Sequence, residues 1–257
     1  MKQLRLYRLL LLFLSLAAPA WAVDHNNLDE GRPLRIEDAY PIAYGEISAE
    51  AGAQINHLRR GRDRVSFPLE ILYGAYWNLH VGMGATLATQ PHSIDEGEKS
   101  GDIRVFGLYN LNQETLRLPA LATKVTLNLP TGIHSHGTDV TIKGIATRTI
   151  GHGRVHFNGS YEFLDDARNK ERSGRYEIVL GGQYPLGYPR AFTTSLLLDV
   201  FTQQSPRTGG QHIAGGEIGL RRQIAPLLVI DMGIGSEFIG PSDRTIFFAT
   251  VGASVGF

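Results

Sequence analysis

From Tyr44 onward the chain falls into short segments in which apolar and polar residues alternate, the period of a strand with two unlike faces. Twelve such segments can be marked. In the first, Ile47, Ala49, Ala51, Ala53 and Ile55 share one face, with Glu46, Ser48, Glu50, Gln54 and Asn56 opposite. Phe67, Leu69, Ile71, Tyr73, Ala75 and Trp77 mark the second, and Leu79, Val81, Met83, Ala85 and Leu87 the third. Ile103, Val105, Tyr109 and Leu111 oppose Asp102, Arg104 and Asn110 in the fourth; Leu121, Val125, Leu127 and Leu129 oppose Lys124, Thr126 and Asn128 in the fifth. The sixth, 140–150, places Arg148 on the apolar face, a position lipid tolerates only near an interface. The seventh is the cleanest, with Val155, Phe157, Gly159, Tyr161 and Phe163 alternating with Arg154, His156, Asn158, Ser160 and Glu162. Stripes at 176–184, 192–200, 214–220, 228–238 and 247–257 complete the set. The register of the sixth and tenth is the least sharply defined.

The connections sort into two classes in turn. Those at 57–63, 91–100, 131–137, 165–173, 204–211 and 240–243 are polar and mostly long, whereas Asn78, 151–153, 185–189 and Ala225-Pro226 are mostly tight. Alternating short turns and long loops, with both chain ends on the short side, are the mark of a closed transmembrane barrel with periplasmic turns and outer loops. The connection at 112–118 is long on the short side. Aromatics support the same reading. Trp77, Tyr109, Tyr184, Phe192 and Phe257 fall at one predicted rim and Phe67, Phe163, Tyr176, Phe238 and Phe247 at the other, all on the apolar parity. Amphipathic rings favour the headgroup level; a soluble β-sandwich would bury them mid-strand. The expected fold is therefore all-β, a closed antiparallel transmembrane barrel of about twelve strands.

The beginning of the chain sets the compartment. Lys2, Arg5 and Arg8 precede an apolar stretch ending at Ala18, followed by Pro19 and an Ala20-Trp21-Ala22 site, the pattern of a cleaved secretory signal peptide over 1–22. Its apolar part is too short for a membrane-spanning helix, which needs roughly 20 residues. The division expected is a signal peptide at 1–22, a leader at 23–41 and a barrel at 42–257. The leader would either hang in the periplasm or fold into the lumen as a plug carrying Arg32, Arg35, Glu37 and Asp38.

Composition narrows the function. Lys and Arg number 25 and Asp and Glu 25; losing the three basic residues of 1–22 leaves 22 against 25, no balance for a nucleic-acid binder. Without cysteine there is no disulfide framework, thiolate metal site or cysteine nucleophile. No cofactor is expected. Glycine, at 30 of 257 residues, exceeds the usual share of about 7 % and fits strands with tight turns and close approaches.

The polar faces converge on the lumen. Acidic positions there are Glu46, Glu50, Glu70, Asp102, Glu162, Glu177, Asp199, Glu217, Asp231 and Glu237, and basic ones Arg64, Arg104, Lys124, Lys143, Arg154, Arg175 and Arg221, with His156 among them. They would line a passage for a small solute or close into ion pairs that fill the barrel, because charges withdrawn from water must be paired. Arg59, Arg60, Arg62 and Arg64 crowd the first outer loop, where bidentate contacts to lipopolysaccharide phosphates are the binding alternative to plain solubility. His134 and His136 with Asp139 nearby are a metal candidate without a fixed third ligand. His156 and Ser160 would suit a lipid hydrolase, yet on one strand they stand roughly 13 Å apart, against the hydrogen-bond reach of about 3 Å that a nucleophile and its base need. A base from another strand, such as His80, is the remaining route, and a non-enzyme is expected. Phe257, ending an alternating strand with Val255, Ala253, Val251, Ala249 and Phe247 behind it, resembles the signal read by the barrel-assembly machinery.

The segment Gly31-Arg32-Pro33-Leu34 with Glu37-Asp38-Ala39, the strand after it, and the stretch from Val125 through Leu129-Pro130-Thr131-Gly132 resemble the family of outer-membrane transporters of the phenol-degradation meta-pathway. That resemblance spans nearly the whole mature chain on short motifs; Ile36-Glu37-Asp38 stands where a Thr-Asp-Asp-like run is usual. It implies a Gram-negative outer-membrane channel or transporter for small aromatic or hydrophobic molecules. The alternative is a non-conducting barrel that binds lipopolysaccharide or a partner.

Overall fold

The computed structural model describes residue 28 and residues 32–89, 100–132, 135–167, 170–187 and 193–257. The signal-peptide expectation at 1–22, Gly31, His134, Phe192 and most of the loop at 91–100 lie outside these. Twelve strands follow one another: β1 (Ile47–Leu58), β2 (Arg64–Tyr76), β3 (Leu79–Ala88), β4 (Ile103–Asn112), β5 (Ala120–Leu129), β6 (Asp139–Ile150), β7 (Gly153–Phe163), β8 (Gly174–Leu186), β9 (Thr194–Gln203), β10 (Ile213–Ala225), β11 (Leu228–Ile239) and β12 (Thr245–Gly256). Each pairs antiparallel with the next, and β12 returns to β1, so the sheet closes on itself. Closure leaves no sheet edge with unpaired amides. The seam is sealed at its end by Phe257, whose N–H donates to Ile47 O at 2.8 Å.

The register fixes which parity faces out. Ala49 pairs with Ile71 and with Val255, Leu127 with Val140, and Phe157 with Leu180, so apolar stripes on neighbouring strands merge into a continuous outer belt. Ile71, Met83, Leu180, Val200, Met232 and Val251 are each about half exposed. A belt of this kind on a closed barrel is a lipid-facing surface. Trp77, Tyr184 and Phe257 stand exposed at the rim where β1 begins and β12 ends, here the proximal rim, and Phe163 and Phe238 at the opposite, distal rim.

The sixth and tenth strands acquire definite registers, with Ile142, Ala146 and Arg148 facing out on β6 and Ile218 and Leu220 on β10. Four expectations are corrected. β9 begins at Thr194, and β10 runs past Leu220 to Ala225. Arg64 belongs to β2 as cross-strand partner of Asn56, so it is a wall residue, unlike the exposed Arg59, Arg60 and Arg62 in the turn before it. The bore is also less uniformly hydrophilic than the alternation implies: Leu72, Phe106, Leu108, Ile145, Val179, Leu197, Phe201, Val229 and Phe248 point inward and are buried.

The long proximal connection at 113–119 and the lipid-facing Arg148 explain one another. Arg148 Nη1 donates to the carbonyls of Thr115 and Leu118 at 2.6 and 3.0 Å, and Nη2 to that of Leu116 at 2.8 Å. Its Nε lies 3.4 Å from Glu114. The connection is folded over the outer face of the barrel and wraps a guanidinium that lipid would otherwise meet.

Candidate functional site

The leader runs around the inside of the wall as a ring, touching the strands in their order in the barrel. At Arg32, Nη1 donates to the carbonyls of Ala51 on β1 (2.8 Å) and Ala253 on β12 (3.3 Å), and Nη2 to Ser254 Oγ (3.2 Å). The same guanidinium pairs with Glu50 and lies 3.7 Å from Asp231 on β11. Pro33 O accepts from Thr250 at 2.7 Å, and Leu34 lies over Gly233 of β11 and Gly219 of β10. The Arg35 amide donates to Glu217 on β10 and Asp199 on β9, and its side chain reaches Glu177 on β8. Glu37 exchanges two backbone hydrogen bonds with the Asn158 side chain on β7, at 2.7 and 2.8 Å. Its carboxylate meets Lys143 on β6 and Lys124 on β5. Ala39 donates to Thr147 (3.0 Å) and accepts from Asn110 on β4 (2.7 Å). Ile42 donates to His80 Nδ1 on β3 at 3.4 Å, and Gly74 of β2 bonds to both Gly45 and Glu46.

Both packing and charge hold this ring. Leu28, Leu34 and Ile36 form one buried cluster with Val179, Leu197, Phe201, Ile213 and Phe248. Ala39 packs with Leu108, Ala120, Ala122 and Ile145, and Ile42 with Leu72 and Phe106. The inward apolar residues therefore meet the apolar residues of the leader. Wall glycines supply the space. A Cβ at Gly252 would stand 2.0 Å from Arg32 Nη1, one at Gly181 2.3 Å from Ile36 Cγ2, and one at Gly74 1.8 Å from Ala43 O.

The sequence-expected site residues divide between ring contacts and wall contacts. Glu50, Lys124, Lys143, Glu177, Asp199, Glu217 and Asp231 engage the leader as described. Glu46 Oε2 accepts from the Ala43 amide at 3.1 Å, and Arg154 sits over the Tyr40 ring at 5.5 Å. Glu70 pairs with Arg104 at 2.6 Å and Glu162 with Arg175, pairs wholly within the wall. Arg221 approaches Asp231 at 4.0 Å. Asp102 and Glu237 serve the distal loops: Asp102 accepts from Gly132 N and Ser135 Oγ at 2.9 and 2.8 Å, and Glu237 from Thr245 N at 2.8 Å. The ring partners of these residues lie in a stretch whose leader role the sequence leaves open between hanging free and entering the lumen.

The hydrolase candidates are not brought together, and the metal candidate rests on His134, which lies outside the described residues. His156 Nδ1 contacts Thr147 Oγ1 at 3.1 Å, His80 Nδ1 accepts from the Ile42 amide, and Nε2 of each ring is buried without a hydrogen-bond partner, so neither is paired with a serine. Asp139 accepts from the Asp165 amide at 3.0 Å. Among the described residues no group of three or more His, Cys, Asp or Glu is placed to hold a metal.

Within the leader, Asp38 is the distinctive titrating group. Burial pushes its carboxyl up to about 7, against the opposing pull of hydrogen bonds from the Tyr40 and Leu28 amides and the charge of Arg154. Asp38 Oδ2 and N bond to Leu28 N and O at 3.2 and 3.3 Å, tying Leu28 to the ring. Burial disfavours the charged form of a carboxyl, and here that cost outweighs the groups that favour the carboxylate.

No protein-family model and no curated protein sequence matches the chain. Solved structures do. An outer-membrane channel from Pseudomonas putida F1 superposes with a TM-score of 0.65 at 14% identity, covering 90% of this chain and 100% of that one. The NanC porin gives 0.59 at 9% identity over 81% of this chain and 98% of its own, and the KdgM porin 0.54 at 10% over 82% and 99%. The chain has the barrel fold of these outer-membrane channels and porins.

Proposed function

We propose that this chain is an exported outer-membrane channel that passes small, partly apolar molecules, with the inner ring of its leader controlling passage. The observation that carries the reading is the ring itself: a segment inside the barrel that is seated on all twelve strands by side-chain contacts. The wall behind it combines paired charges with apolar patches, a lining that suits amphipathic solutes. The fold shared with outer-membrane channels supports the compartment. The resemblance to the phenol-degradation transporters supports an aromatic or hydrophobic solute. In this reading 1–22 is the signal peptide, the proximal rim is periplasmic, Phe257 is read by the assembly machinery, and the chain has no enzymatic role.

The test is solute flux into liposomes carrying refolded protein. Small aromatic molecules should enter faster than into protein-free liposomes, and large sugars should not; equal rates for all solutes would remove the channel reading.

A second reading has its own observation. The ring is held by ion pairs on several sides, which suits a sealed barrel that works through its exposed Arg59, Arg60 and Arg62 on lipopolysaccharide phosphates. In that case replacing these three by serine abolishes lipopolysaccharide binding, and liposomes show no flux with or without the substitutions.

A further inference from the structure

Arg35 leaves the ring and extends toward the distal rim. Its Nε donates to Glu217 Oε1 at 3.0 Å, and Nη1 to Glu177 Oε2 at 2.7 Å and Gln203 Oε1 at 3.4 Å. The guanidinium carbon lies 3.9 Å from the centre of the Phe201 ring. Two carboxylates, an amide oxygen and an aromatic floor are the elements that bind a planar cation: charge-assisted hydrogen bonds around the edge and a π face beneath. Glu177 and Gln203 are cross-strand partners, as are Asp199 and Glu217, so rigid strands hold the nest. Four carboxyl groups, those of Glu177, Asp199, Glu217 and Glu237, gather around this one guanidinium. Asp199 accepts the Arg35 and Ile36 amides, and Glu237 stands on the far side of Gly215 from Phe201. The nest is also open, with the Arg35 and Glu177 side chains 28% and 23% exposed, whereas the Glu37 clamp deeper in the bore is closed off.

We infer that this nest is a recognition site for small organic cations, guanidinium or amine heads on a compact apolar body, and that Arg35 occupies it as a built-in stand-in that an entering solute displaces. The apolar body would rest on Phe201, Ile213 and Phe248, which form one cluster. Displacement breaks the ring's ion pairs with Glu177 on β8 and Glu217 on β10, so solute binding and loosening of the ring are one event. The inference rests on the channel reading for its consequence, but not for its test.

The test measures binding of phenylguanidine to detergent-folded protein by calorimetry. Arg35→Ala empties the nest and should bind at least tenfold more tightly than the wild type. Adding Glu177→Gln and Glu217→Gln to it should remove that gain. Arg35→Lys, whose ammonium refills the nest, should bind no more tightly than the wild type. Equal affinity in Arg35→Ala and in the triple variant overturns the proposal, as does equal affinity for phenylguanidine and uncharged phenylurea. Should Arg35→Ala fail to form a heat-resistant barrel, Arg35→Met, which keeps the stem over Phe201, carries the same comparison. Binding without any liposome flux would sink the channel reading and leave the site standing; flux without binding would do the reverse.

Discussion

Glu37 reaches Lys124 at 2.7 Å and is the counter-ion that lets two lysines face each other in the wall. Lys124 and Lys143 are direct cross-strand partners, and Glu37 Oε2 also lies 3.2 Å from Lys143 Nζ. Like charges directly opposite on a sheet are destabilising, and all three side chains are almost fully buried. Removing one member of a buried ion pair costs about 3–5 kcal/mol. Glu37→Gln should therefore release the ring before it unfolds the barrel, because the strand ladders do not involve Glu37. Hydrogen exchange at residues 32–43 should rise at least tenfold while strand amides stay protected, and adding Lys143→Met should restore much of the protection. Unchanged exchange in Glu37→Gln would show that the clamp does not hold the ring.

The pH response of the ring follows from Asp38. Its folded pKa of about 7 stands above the ordinary carboxylate value of 3.8, so between these limits the packed leader binds more protons than the released one. The stabilisation is present in full below pH about 4 and declines as pH rises to about 7, then levels off. Protease cleavage of the leader should accelerate across that window, and Asp38→Asn should flatten the profile. A profile that instead slows with rising pH contradicts the assignment.

Gly252 faces the Arg32 guanidinium, and a methyl there would stand 2.0 Å from Nη1 and 2.9 Å from Asp231 Oδ1. Gly252→Ala should displace Arg32 from Glu50 and Ser254 and loosen the ring beside the β1–β12 seam. Because Gly252 pairs within both ladders through its backbone, the closed barrel should persist, visible as an unchanged shift between boiled and unboiled protein on electrophoresis. Exchange at the residue 32 and 34 amides reports the loosening; identical rates in variant and wild type would count against the cradle.

Arg148→Leu places a lipid-compatible residue on the outer face yet removes the donor for three carbonyls of the 113–119 connection. The barrel should fold and insert, while that connection becomes a protease site cut many times faster than in the wild type. Resistance equal to the wild type would mean that the connection is held by something other than the guanidinium.

The outer half of this architecture was legible because each strand repeats its signal locally. Val155 to Phe163 alternate without interruption, and the tight turn at Gly151-His152 leaves no doubt where β7 begins. The inner half was not. Phe106, Leu108, Val179 and Leu197 are apolar residues on the polar parity, and each taken alone reads as an imperfection of a strand. Their partners Leu34, Ile36, Ala39 and Ile42 lie at least 64 positions away in the chain. The glycine cradle carried no sign either, since Gly181 and Gly252 resemble any strand glycine until the side chain that fills their space is known. The spacing of Leu34 and Ile36 around Arg35, an alternation within a leader that the sequence leaves open between hanging free and plugging the lumen, was the available hint. Arg148 and the long 112–118 connection were each visible as exceptions, but only the fold brings them together.

Single-channel recording of refolded protein in planar bilayers, wild type against Glu37→Gln, bears most directly on a membrane channel governed by its leader. Discrete conductance steps should appear in both, with longer or larger openings in Glu37→Gln because its ring no longer anchors to Lys124 and Lys143. Silence from both proteins, or identical openings in the two, would contradict it.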